Sequence, residues 1–146
     1  MEPEELKHKD FYYEGKNLTY QVNVKENLIY IVVKGVHAKE DAEEFDAKAI
    51  TYLKKFPEIY KVFDTANVII ECSEAKRVEP DARRIYSKMA AAFLHSHLFV
   101  VGANTLIRVV LGFLLVASGR KDVKFFKNTS ETLEYIRKQK GAKAKK

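Results

Sequence analysis

The chain has a single cysteine, Cys72, and no tryptophan among its 146 residues. One thiol forms no internal disulfide, so stability must come from a packed core, and a reducing, cytoplasmic setting is the expectation. Glycine is also scarce, with six residues, and VVGAN at 100–104 holds one glycine, which excludes the glycine-rich phosphate loops of dinucleotide and P-loop folds. No apolar run reaches bilayer length. Leu106 to Ala117 spans 12 residues and is interrupted by Arg108 and Gly112, whereas a crossing needs about 20. The opening MEPEELKHKD has no apolar stretch after a basic start, so no secretory signal is read there.

Acidic residues are missing from the last ten positions, RKQKGAKAKK, which hold six of the 26 lysines and arginines. Without them, 20 basic residues stand against 20 acidic ones, so the net charge of +6 belongs to the C-terminus. A nucleic-acid-binding fold carries its basic stripe on the folded body, and specific nucleic-acid binding is not expected. Residues 1–10 read as a charged leader, 11–137 as one domain and 138–146 as a basic flexible tail.

A hydrophobic share of 47% is enough for a real core in one domain of this length. Leu18 to Val24 alternates and Leu28 to Val33 is nearly all β-branched or aromatic, which predicts a hairpin, with Phe11 to Tyr13 as a short edge strand. Ala42, Phe45, Ala49, Leu53 and Phe56 recur at helical spacing between His37 and Pro57. Ile59 to Asp64 reads as a strand and Thr65 to Cys72 as a mixed connection, with Ser73 capping a short turn. Pro80 opens a second helix reaching about His95, and Leu98 to Val101 reads as a buried parallel strand. A third helix, capped by Asn104 or Thr105, ends at Gly119; apolar nearly all round, it must be covered on more than one side. Val123 to Phe126 supplies a last strand, and Thr129 or Ser130 caps a final helix with Leu133 and Ile136 inside. Strands alternating with helices after a hairpin predict an α/β fold with a mixed, mostly parallel sheet and about four helices.

KVFDTANV (61–68), SEAKR (73–77), LFVVGANTLIRVVLGF (98–113) and FFKNTSETLEYI (125–136) resemble the STAS-like group, the fold of anti-sigma factor antagonists, and its SpoIIAA-like branch, described as related to SEC14-type lipid carriers. The resemblance covers residues 18 to 137. It implies a non-enzymatic interaction or regulatory domain, or alternatively a carrier or sensor of an apolar, lipid-like molecule. In the antagonists a serine near the Ser73 position is a regulatory phosphosite; this chain reads Cys72, Ser73, Glu74, Ala75 there.

Three candidate sites follow. Ser73 is the candidate phosphosite, because a helix start stabilises a phosphate. Arg77, Arg83 and Arg84 form a candidate surface for an acidic protein partner. Arg108, Leu111 and Leu115 form a candidate ligand or self-association face, with the arginine at its polar rim. Cys72, His95 and His97 lack a third orienting group, and the histidine pair has no further ligands, so neither catalysis, a metal nor a cofactor is expected.

Overall fold

The computed structural model describes residues 2–55, 57, 65–92, 96–119 and 123–144, without the side chains of 49–55, 113–118 and 142–144. In order, the elements are α1 (Glu4–Lys7), β1 (Phe11–Glu14), β2 (Leu18–Asn23), β3 (Leu28–His37), α2 (Lys39–Lys55) and β4 (Asn67–Val78), then α3 (Pro80–Ala92), β5 (His97–Val101), α4 (Thr105–Ser118), β6 (Lys124–Phe126) and α5 (Thr129–Ala144).

The six strands lie side by side in chain order. β1, β2 and β3 are antiparallel neighbours, while β3 to β6 run parallel. Parallel strands require crossovers, and repeating one hand of crossover in one direction stacks α2, α3 and α4 on the same face. On that face Phe45 of α2, and Tyr86 and Met89 of α3, meet Tyr20, Ile29 and Ile31, while Ile107 and Leu111 of α4 meet Cys72 and Val100. The opposite face buries Leu28, Ile69, Phe99 and Val101 under Leu6 of α1 and Leu133 and Ile136 of α5. Alternate residues thus serve the two faces, as the pleat dictates.

The hairpin, the edge strand β1 and the buried strand β5 stand where the sequence places them. Asp41 caps α2 by accepting from the Ala38 amide at 2.8 Å, three residues back. Asn104 caps α4, accepting from the Ile107 amide at 2.8 Å. At α5 the cap is Asn128 rather than Thr129 or Ser130, since its side chain accepts from the Glu131 amide at 2.9 Å.

The main correction concerns the middle of the chain. Thr65 to Cys72 is not a mixed connection: Asn67–Val78 forms β4, 12 residues long and central in the sheet. Its first half is covered by helices on both faces, Ile69 on one and Val68, Ile70 and Cys72 on the other, so it shows no clean polar alternation. The strand expected at Ile59 to Asp64 lies outside the described residues, and so does His95.

The ends also differ. The expected leader contains α1, whose Leu6 is buried, and α5 continues through Ala144, past the expected start of the tail. With α1 the described helices number five. Arg137 donates to both carboxylate oxygens of Glu5 at 2.7 Å, which ties α1 to α5 and holds the Glu5 carboxyl below the usual range. Lys140 donates to the Glu26 carbonyl at 2.7 Å.

Candidate functional site

Between the sheet and the α2, α3, α4 layer lies a cavity of about 170 Å³. Its floor is Tyr20, Ile29, Ile31, Val68, Ile70, Leu98 and Val100, and its roof is Phe45, Tyr86, Met89, Ala90, Ile107 and Leu111. Native interiors hold few voids larger than a water molecule.

The polar groups along the wall are already engaged. His37, the last residue of β3, is 1% exposed. Its Nε2 lies 2.9 Å from the Asn17 carbonyl, which only accepts, so Nε2 carries the proton. Nδ1 is then the lone pair, and it accepts from the Tyr86 hydroxyl at 2.6 Å. Burial pushes the imidazole below its ordinary value, with the Asn17 contact and the Asp41 charge acting the other way, and burial pushes the Tyr86 hydroxyl upward. The pair is therefore neutral at pH 7. Cys72 is buried on the same wall and its thiol points to the Ile70 carbonyl at 3.6 Å. Burial, then the Glu71 charge, pushes that thiol up to about 12, so it is no thiolate nucleophile. His97, exposed at the start of β5, pairs with Asn67, five residues along β4 from Cys72 and roughly 16 Å away at strand rise. The structure does not bring Cys72 and His97 together.

Of the expected ligand face, Leu111 lines the cavity, whereas Arg108 points outward with its guanidinium 5.0 Å from the Phe125 ring centre. The Leu115 side chain lies outside the described residues. Ser73 is inside β4, so the helix start on which a phosphate was expected to rest is absent. Its hydroxyl donates to the Glu71 carboxylate, at the lip of a shallow polar hollow shared with Lys34, Glu74 and Asn104. Arg77 and Arg84 are exposed and pair with Glu79 at 3.6 Å and Asp81 at 3.5 Å, while Arg83 is half-buried. Among the described residues no cluster of three potential metal ligands occurs, and no helix is long and apolar enough to cross a membrane.

Sequence reasoning offered an apolar ligand at α4 as an alternative but missed the other walls of the cavity, because Tyr86, His37 and Met89 carry no local signal of facing a shared space.

No family model matches the sequence, and no curated protein matches it. A solved structure does: an uncharacterized protein of the DUF3478 family with a SpoIIAA-like fold, from Shewanella loihica PV-4. The TM-score is 0.54 at 13% identity, over 86% of this chain and 90% of that one. At that identity the likeness establishes the fold, and the fold is SpoIIAA-like.

Proposed function

We propose that this SpoIIAA-like domain binds a small, uncharged, apolar molecule between its sheet and the α2, α3, α4 layer, as a carrier or sensor rather than an enzyme. The observation that carries this reading is the cavity of about 170 Å³ walled by aliphatic and aromatic side chains. Cavities of roughly 150 Å³ with such walls stay dry and take up benzene, so the volume suits one ring or one short branched hydrocarbon. An anionic headgroup finds no cation in the lining, and the His37–Tyr86 pair already satisfies itself. The ligand is therefore more apolar than a fatty acid's carboxyl end. Arg108, expected at the mouth as a headgroup anchor, lies outside the lining.

Native mass spectrometry of the purified chain, followed by thermal melts with added benzene, tests the reading. A ligand at 100 times its Kd stabilises by about 2.7 kcal/mol. For a domain of this size that raises Tm by roughly 5–10 °C. Ala90→Leu, which fills the roof from α3, should abolish the rise while leaving the fold intact. An unchanged Tm at saturating benzene, with no bound mass in the native protein, sinks the proposal.

A further inference from the structure

The first turns of α4 leave one apolar flank open: Leu106 is 61% exposed and Val109 52%. They stand three residues apart and share one flank of the helix. Gly112, one turn on, has open space where a side chain would begin. Phe125 of the neighbouring edge strand is also exposed, with Arg108 stacked over it. Monomeric proteins seldom display grouped apolar side chains of this size without a use for them.

The charge around this patch has one sign. From residue 82 to residue 121 the chain contains no aspartate or glutamate and six cations: Arg83, Arg84, Lys88, Arg108, Arg120 and Lys121. That stretch includes nearly all of α3 and the whole of α4, which pack side by side. Arg84 and Lys88 are exposed on α3, and among the described residues Arg84 meets one acid, Asp81 in its own first turn, while Lys88 and Arg108 meet none. The opposite flank of α3 packs on α2, whose first half carries Glu40, Asp41, Glu43, Glu44 and Asp46 beside Lys39, while Lys48, Lys54 and Lys55 follow in its second half. The helical layer thus has most of its acids gathered in the first half of α2, and it is cationic with an apolar outer edge along α3 and α4.

We infer that the α3–α4 edge docks on an anionic membrane surface, with Leu106, Val109 and Phe125 entering the headgroup boundary and Arg84, Lys88 and Arg108 contacting lipid phosphates. Apolar tips among cations are the arrangement an interfacial helix uses, and each cation near such a surface adds about five-fold to the affinity. Nucleic acid gives no partner for the aliphatic tips. Three apolar side chains fall well short of the roughly 20–30 residues that a stable protein interface buries on each side. The acidic first half of α2 would be repelled, which favours contact through the α3–α4 edge. This docking goes beyond the cavity reading and stands without it.

Flotation of the full chain with phosphatidylcholine vesicles, with and without an equal share of phosphatidylglycerol, reads the docking out. The expected result is binding to the anionic vesicles alone, weakened by salt. Arg84→Gln with Lys88→Gln should reduce it by about twenty-fold, and Leu106→Ser with Val109→Ser by at least ten-fold, with circular dichroism unchanged because all four positions are exposed. Single Val109→Ser, expected to lose a few-fold, reads the same face should the double variant misfold. Three results would overturn the inference: no binding to anionic vesicles; binding indifferent to the α4 serines, which would assign it to the C-terminal lysines; or retention on immobilised polyglutamate without vesicle binding, which would assign the surface to an acidic protein.

Discussion

Two hydrogen bonds and near-complete burial hold His37 as a neutral imidazole, with the proton on Nε2 and the lone pair facing Tyr86. Its folded pKa lies below the 6.5 of the exposed group, so the unfolded chain binds the proton more readily. Stability from this residue is complete above pH 6.5 and is lost as pH falls from there through the folded value. His37→Gln keeps one donor and one acceptor but does not titrate. Melts between about pH 7.5 and 5 should show the native chain losing stability more steeply than this variant; parallel curves would mean that His37 is not held neutral. Cys72 offers a second test at this scale. Buried, with its thiol raised to about 12, it should resist alkylation in the folded protein at pH 8 and react quickly once unfolded in urea. Rapid labelling without unfolding would show that the β4–α4 wall opens readily.

Among the elements, β4 carries the most. Ile69, fully buried, faces α5 and α1, while Val68, Ile70 and Cys72 face the cavity. Ile69→Ala should cost about 3 kcal/mol from lost burial and the void left behind, lowering Tm by roughly 6–12 °C. A drop of a degree or two would place β4 outside the cooperative core. The hairpin, α2, β5 and α4 were legible in the sequence because their period or composition is local. β4 was not. Its first half is buried on both faces and shows no alternation, and its second half, Ser73 to Arg77, is polar enough to resemble a turn. α1 and the far end of α5 escaped for a related reason: α1 is four residues long, and α5, legible at its start, continues through a lysine-rich stretch with little apolar patterning. They are held by tertiary contacts, the buried Leu6 and the Glu5–Arg137 pair, that no local window contains.

At the scale of the molecule, the three-helix layer stands off the sheet far enough to leave an apolar space that a small apolar molecule would fill. The candidate site was legible only in part. The excess of apolar residues on α4 pointed to a ligand or partner, and Leu111 proved to face the cavity, but its other walls come from six further elements that only the fold assembles. The measurement that tests this most directly is a benzene titration of the isotope-labelled protein followed by amide chemical shifts. Saturable changes grouped at Ile31, Ile70, Tyr86 and Ile107 are the predicted result, and they should vanish in Ala90→Leu. Shifts confined to the exposed Leu106 and Val109, or no saturable shift at all, would contradict a binding cavity beneath the helices.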